Sequence, residues 1–302
     1  MLEKSGVKFR GITCGKLRRY LSAENFTDAL RVLKGVGQAL RLLRKIRPDK
    51  IYSTGGYVSV PVVVAGWLLK VPVIVQELDV VPGLANKICF RFAKKICLSF
   101  EESMDPLGKY KKKAVVVGSP VRKGMTTGKT DKGYRFTGLN KYRPVILVMG
   151  GSQGAEQINN LIDKNLSELT KKFQIVHIRG RGNLDISIHK EGYLQYEFLG
   201  EELKDVYAIS ELVVSRGGAG SLAEIALNKK RAVVIPLGTA ASRGDQIENA
   251  KSYAKRYAWT VLEGEISDED FLESVKMTFE NDPKVDNSFA NGVKEICNLI
   301  LK

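Results

Sequence analysis

The chain reads as an α/β protein with two lobes, each an open, mainly parallel sheet covered by helices. Three observations predict this. Short apolar runs alternate with segments of helical periodicity along nearly the whole length. The alternation breaks once, in a polar, Gly-rich stretch without periodicity, GMTTGKTDKGYRFTGLNKYR at 124–143. On both sides of that stretch, apolar runs end in glycine turns that open a helix: STGGYVS at 53–59, MGGSQG at 149–154 and SRGGAGS at 215–221. A strand passing through such a turn into a helix is the repeating unit of a parallel sheet.

The first helix is predicted over 26–46, with Leu30, Leu33, Leu40 and Leu43 on one face. Arg41, Arg44, Lys45 and Arg47 crowd its C-terminal end, where cations suit the helix dipole, and Pro48 stops it. IYSTGGYVSVPVVVAGWLL supplies a strand, a Gly-Gly turn and a second helix. PVIVQELD is a strand, 83–95 a helix, and KICLSF and AVVVG (114–118) two further strands. Beyond the break, strands are expected at 145–149, 174–178, 195–199, 211–215, 232–236 and 258–262. Helices are expected from 155, at 202–209, 220–228 and 244–256, and last at 287–301. The expected organisation is a first lobe at 1–123, a linker at 124–143 and a second lobe at 144–286. Residues 287–302 form a helix that packs back on the first lobe. Ligands of such sheets bind at the carboxyl ends of the strands, and a cleft between two lobes is the default active site.

Bulk composition excludes several classes. The 302 residues suit one large or two medium domains, and 44% hydrophobic and 27% charged residues are ordinary for a soluble globular protein. No apolar run approaches the roughly 18 residues of a membrane span, and MLEKSGVKFRG lacks the apolar stretch of a signal peptide. A cytoplasmic protein is expected. Cys14, Cys89, Cys97 and Cys297 show no CxxC spacing, and His177 and His189 lie far from them, which argues against zinc and disulfides. Charge is uneven: residues 1–140 hold 27 Lys and Arg against 10 Asp and Glu, whereas 141–302 hold 21 against 23. A first lobe this basic suits a phosphate-bearing partner, whether nucleic acid, anionic lipid or a phosphorylated substrate, or is simply a soluble basic surface.

Glycines let a backbone turn tightly and approach a ligand, and the N–H groups of a following helix stabilise anions, phosphate above all. Three such turns fit a nucleotide diphosphate lying across strand ends. GxGxxG spacing and the lysine of a Walker A loop are absent, which disfavours dinucleotide binding and ATP hydrolysis. Glu224, one turn into its helix, suits the two hydroxyls of a ribose or the helix dipole. Asp245 and Gln246 open another helix, as caps or as contacts to sugar hydroxyls. Arg122 in GSPVR offers a fork within reach of a diphosphate.

With these residues in view, the sequence resembles the MurG family of bacterial glycosyltransferases, which move N-acetylglucosamine from UDP-GlcNAc to lipid I. The matching stretches are GKLRRY (15–20), STGGYVSVP (53–61), QELDVVPGLANK (76–87), GSPVR (118–122), MGGSQGAEQIN (149–159), YEFLG (196–200), SRGGAGSLAEIA (215–226) and DQIENA (245–250). They occur in family order over nearly the whole chain. The resemblance implies a GT-B architecture of two Rossmann-like lobes, transfer with inversion to lipid I to form lipid II for peptidoglycan, and no metal or other cofactor. It implies a peripheral position on the anionic inner face of the plasma membrane and no nucleic-acid partner. It assigns Gly151, Ser152, Gln153 and Arg122 to the UDP phosphates, the backbone of Leu199 to uracil and Ala219, Gly220, Ser221, Leu222 and Ala223 to the nucleotide loop. Glu224 falls to the ribose and Asp245 and Gln246 to the sugar. Gly55, Gly56, Tyr57, Asp79 and Asn86 fall on the acceptor side.

Two departures bear on the first lobe. Asp79 stands where the family usually has asparagine, so a donor amide is lost. The family's opening βα unit, with a Gly-rich loop and a histidine that is a candidate base, has no counterpart here. An incomplete N-terminus, a separate chain supplying the unit, or an inactive UDP-sugar binder would each account for this. The general base is accordingly unassigned, with Glu77 the nearest carboxylate. A different UDP-GlcNAc enzyme, such as a 2-epimerase, is the other reading.

Overall fold

The structure, a computed structural model, describes residues 6–15, 23–151, 153–238, 244–282, 284, 286 and 291–301, without the side chains of 23–26. Two motif stretches therefore fall partly outside the described residues: GKLRRY beyond Gly15, and Ser152 of the glycine turn. The chain divides into two compact units, Met1–Val117 with Lys294–Lys302, and Gly118–Val293.

The first unit is built on four parallel strands in the order β1-β2-β3-β4: Ile51–Ser53, Val73–Glu77, Lys95–Leu98 and Ala114–Val116. Helices α1 (Ala23–Ile46), α2 (Ser59–Leu68) and α3 (Leu84–Phe92) pack in succession. The two-residue period of the strands sorts the core. Val73, Val75, Ile96 and Leu98 face a cluster with Leu43, Val63 and Phe90, whereas Ile74 and Cys97 meet Ile296 on the other side. Ile296 belongs to α10 (Val293–Leu301), and Lys50 Nζ donates to the carbonyl of Ile300 at 2.6 Å. The expected start of this helix at 287 lies outside the described residues; the observed helix begins at Val293.

The second unit carries six parallel strands, all within the register expected of βα units: β5 (Val145–Met149), β6 (Gln174–Ile178), β7 (Tyr193–Tyr196), β8 (Ser210–Ser215), β9 (Arg231–Val234) and β10 (Thr260–Val261). Their order is β10-β9-β8-β5-β6-β7. The chain thus winds outward from β5 in one direction and, after β7, restarts at β8 on the other side of β5. This is the strand order of a doubly wound dinucleotide-type sheet, whose switch point lies between its first and fourth strands. Helices α5 (Glu156–Lys172) and α9 (Asp268–Glu280) cover one face through Ile158, Ile162, Phe271 and Val275, against Ile146, Val148, Leu212 and Val214. Helices α6 (Leu203–Ile209), α7 (Ala219–Leu227) and α8 (Asp245–Tyr257) complete the unit.

Two elements correct the sequence reading. The stretch 124–143 is no plain linker: Thr130–Thr137 forms helix α4, which packs on α6. Gly133 is the close-approach point, since a Cβ there would lie 2.3 Å from the carbonyl oxygen of Asp205. Asp205 in turn accepts the N–H of Lys129 at 2.7 Å, just before the first turn of α4. The buried positions of this helix, Gly133 and Thr137, are a glycine and a threonine, not the large apolar residues that mark a helix face in a sequence. Helix α9 is a second addition, opened by Ser267, whose hydroxyl accepts the Asp270 N–H at 3.0 Å. That is a capping pattern in SDED. Asp205→Ala is expected to destabilise this unit by about 1–2 kcal/mol through loss of a helix-start acceptor, read as a lowered denaturant midpoint.

Candidate functional site

The crevice at the β5–β8 switch point gathers most of the residues singled out in the sequence. Strand β5 ends at Met149 and passes through Gly150 to Gly154 into α5; β8 ends at Ser215 and passes through Gly217 and Gly218 into α7. Two helix N-termini, each free of a side-chain cap, therefore start at neighbouring strand ends. Gly151 and Gly154 take φ of +87° and +81°, a region that L side chains rarely adopt. Ala219 to Ala223 and Glu224 follow on the first turns of α7.

Helix α8 joins them by a backbone contact. A Cβ on Gly217 would lie 2.4 Å from the carbonyl oxygen of Gln246, so this glycine seats the start of α8. Gln246 Oε1 accepts the N–H of Leu237 at 3.1 Å. Asp245 is the first residue of the same helix. Leu199 lies past the end of β7, at the same carboxyl edge but on the outer side of the sheet, and its side chain is buried. Gln153 is exposed on the β5 turn.

Arg122 and Glu224, read separately from the sequence, are paired. The Arg122 Nε donates to Glu224 Oε1 at 3.0 Å and Nη2 to Oε2 at 3.4 Å. The Glu224 carboxylate is largely buried and that arginine fork takes both of its oxygens. Arg216 is a residue the sequence reading passed over inside SRGG. It stands half-buried at the end of β8, with Nη1 donating to Gln157 Oε1 at 3.0 Å and to the Ile235 carbonyl at 3.2 Å.

Beneath the β5 turn lies a buried polar chain. His177 is fully buried between the Tyr193 hydroxyl at 2.9 Å and Asn159 Oδ1 at 3.0 Å. Asn159 Nδ2 donates to the Arg179 carbonyl, so Oδ1 is its acceptor end and His177 carries its proton on Nε2. Burial, and then the nearby Arg179 charge, hold His177 down at about 3. It is a neutral packing residue, not a base.

In the first unit, Gly55, Gly56, Asp79, Glu77 and Asn86 meet at the carboxyl ends of β1 and β2. Gly55 has φ of +88°, and a Cβ there would lie 2.9 Å from the Asn86 amide. Tyr57 is exposed on the same turn. Glu77, the carboxylate nearest this side in the sequence, is enclosed by donors. Its Oε1 accepts the N–H groups of Leu78 and Asp79 at 3.0 and 3.1 Å. Its Oε2 accepts the Gly83 N–H at 3.3 Å and Asn86 Nδ2 at 2.8 Å. With four donors bound and only 3% exposure, Glu77 ties the β2–α3 loop together. Burial pushes its carboxyl above the ordinary value against the pull of those donors. Among the described residues no group of three or more His, Cys, Asp or Glu is arranged to hold a metal ion.

The two units match known domains separately. Residues 145–299 match the glycosyltransferase family 28 C-terminal domain and residues 1–98 the N-terminal domain. A Clostridium tetani protein named UDP-N-acetylglucosamine--N-acetylmuramyl-(pentapeptide) pyrophosphoryl-undecaprenol N-acetylglucosamine transferase is 42% identical over 309 residues, 100% of this chain and 86% of the relative. The chain belongs to glycosyltransferase family 28. A Staphylococcus carnosus family member of the same name is 47% identical over 271 residues, 89% of this chain and 74% of its own. Acinetobacter baumannii MurG shares the two-domain GT-B fold, at a TM-score of 0.71 and 22% identity, with 99% of this chain and 86% of that one covered. A Neisseria meningitidis UDP-GlcNAc 2-epimerase bound to UDP-GlcNAc follows at 0.67 and 17%, covering 94% and 83%, a likeness of fold alone.

The buried histidine gives this family 28 chain a pH signature. Its folded value lies below the ordinary 6.5, so its contribution to stability is complete above about pH 6.5 and is lost as pH falls toward 3. Between pH 6 and pH 4 the unfolding free energy of this unit should fall by about 1.4 kcal/mol per pH unit from His177 alone, and denaturant midpoints of His177→Asn should lack that slope.

Proposed function

We infer that the chain transfers N-acetylglucosamine from UDP-GlcNAc to undecaprenyl-pyrophosphoryl-MurNAc-pentapeptide, with inversion, forming lipid II for peptidoglycan. The convergence of two glycine turns and their helix N-termini at the β5–β8 switch point carries this reading: uncapped N–H groups there suit the diphosphate of UDP. In the reaction, the C-4 hydroxyl oxygen of MurNAc bonds to the anomeric carbon. The bond from that carbon to the phosphate oxygen breaks, and UDP leaves with the electron pair. The acceptor proton passes to a base outside the assigned residues. The turn amides, Ser152 and Arg122 stabilise the charge that gathers on the leaving diphosphate. Glu224 takes the ribose hydroxyls, the Leu199 backbone the uracil, and Gln246 the GlcNAc through its Nε2 donors.

The Arg122–Glu224 pair supports an exchange of partners. Ribose hydroxyls that reach the Glu224 oxygens displace the guanidinium, which becomes available to the diphosphate. On the acceptor side, Gly55, Gly56 and Tyr57 face the lipid-linked substrate, and Glu77, Asp79 and Asn86 shape the loop beside them.

The first unit also carries features that suit an anionic membrane face. Leu30 and Leu33 on α1, and Trp67 and Leu68 on α2, are exposed apolar residues, and Trp67 packs on Phe92 at 5.2 Å. Lys70, Arg91 and Lys94 are exposed beside that pair. Apolar insertion flanked by cations is how a peripheral protein holds an acidic leaflet, each cation contributing about 1 kcal/mol.

The deciding experiment is transfer of labelled GlcNAc from UDP-GlcNAc to a lipid I analogue. Labelled product is expected; conversion of UDP-GlcNAc without acceptor would instead assign a 2-epimerase. Glu224→Ala should weaken UDP binding about tenfold, the loss of one or two hydroxyl contacts to a carboxylate, with the unfolding midpoint little changed. Binding to phosphatidylglycerol vesicles should fall steeply between 0.05 and 0.5 M salt (order-of-magnitude conditions set by charge screening). Salt-independent binding would remove the electrostatic part of the membrane reading.

A further inference from the structure

The glycine turn after β5 is held from behind by residues outside those assigned to the ligand. Loop 179–183, which follows β6, packs on it backbone to backbone. A Cβ on Gly154 would lie 2.3 Å from the Arg179 carbonyl oxygen, and one on Gly180 would lie 2.2 Å from the Gly154 nitrogen. Both glycines have positive φ, so neither position accepts a side chain on space or on conformation. Across this contact the Asn183 Nδ2 donates to the Gln153 carbonyl at 3.1 Å, and the Asn159 Nδ2 to the Arg179 carbonyl at 3.2 Å.

The loop is in turn fixed by the Arg179 side chain, which is 6% exposed. Its Nε donates to the Asn183 carbonyl at 2.6 Å. Its two terminal nitrogens reach Asp163 Oδ1 and Oδ2 at 2.5 and 2.8 Å, and one also meets the Tyr193 hydroxyl at 3.0 Å. Asp163 lies on α5, the helix that the turn opens. The linkage is therefore closed: turn, α5, Asp163, Arg179, Asn183, and back to the turn at Gln153.

A turn with two positive-φ glycines has many accessible conformations, and amides that stabilise an anion do so only when their direction is set beforehand. A planar fork bonded to a carboxylate on one side and a loop carbonyl on the other supplies such a constraint. We propose that Arg179 is a positioning residue for the nucleotide diphosphate, acting through Asn183 to fix the Gln153–Gly154 peptide group without contacting the ligand. The inference rests on the donor-site reading above.

The test compares UDP with uridine, which shares the base and ribose but lacks the phosphates. Affinities of the full chain for both are measured by calorimetry, beside unfolding midpoints, for the natural sequence, Asn183→Ala, Arg179→Lys and the double variant. Asn183 is exposed, so its truncation keeps the fold even if Arg179→Lys does not. UDP affinity should drop about fivefold in Asn183→Ala and about tenfold or more in Arg179→Lys, on the scale of one or two lost hydrogen bonds. Uridine affinity should stay within twofold in each, a ratio that tests phosphate selectivity. The double variant should be no worse than Arg179→Lys alone, because both substitutions cut one linkage. The KM for UDP-GlcNAc should rise in step with the UDP affinity loss. Equal losses for UDP and uridine, lowered midpoints with unchanged UDP affinity, or additive effects in the double variant would each overturn the positioning role. Failure of the natural chain to prefer UDP over uridine would instead remove the donor-site reading itself, before any variant is compared.

Discussion

The second unit is organised by one topological constraint: the chain leaves β5 toward β6 and β7, then restarts at β8 on the opposite side of β5. Right-handed crossovers send helices from the two halves to opposite faces. The strand ends of β5 and β8 are then left without a crossover between them. Both are followed by glycine turns, so two sets of uncapped helix N–H groups open on the same crevice. The further features of the donor side are consequences. Helix α8 reaches the crevice because Gly217 has no side chain to hold it off, and it carries Gln246 there. Glu224 arrives because α7 begins at that crevice.

Two glutamates, one buried and one largely so, are held by donors of different kinds. Glu224 is held by Arg122, whose own side chain is about half exposed. Glu77 is held by three backbone amides and a buried asparagine, none of which can withdraw without opening the β2–α3 loop. Both are glutamates at the mouth of a strand–helix turn. The difference lies in whether the donors belong to a movable side chain or to the backbone itself.

That difference also marks where sequence reading stopped. The parallel sheets and the glycine turns were legible, because strand periodicity and Gly-rich turns are local signals. The commitment of Glu77 was not, since amide donors of Leu78, Asp79 and Gly83 leave no trace in residue type. Helix α4 was hidden because its packing face is a glycine and its anchoring carboxylate lies some 70 residues away at Asp205. Arg179 reads in HIRGRGN as one more surface cation; only the fold brings Asp163 beneath it. The capping pattern of Ser267 to Asp270 was available and would have found α9.

The two halves of the chain differ in how their charge is spread. Residues 141–302, which include both donor-side glycine turns, hold 21 basic and 23 acidic side chains. Net charge cannot draw a diphosphate there. What remains is a set of peptide dipoles with fixed direction, which are strong at contact distance and weak beyond it. Such a grip is selective only if its geometry is rigid, and buried Arg179, Asn159 and His177 with partly buried Asp163 hold the loop behind the β5 turn. Residues 1–140, with 27 basic side chains against 10 acidic, have the opposite property: a long-range field with little directional demand. A diffuse field suits an extended anionic surface whose headgroups have no fixed positions, and a rigid cradle suits one small anion whose oxygens do.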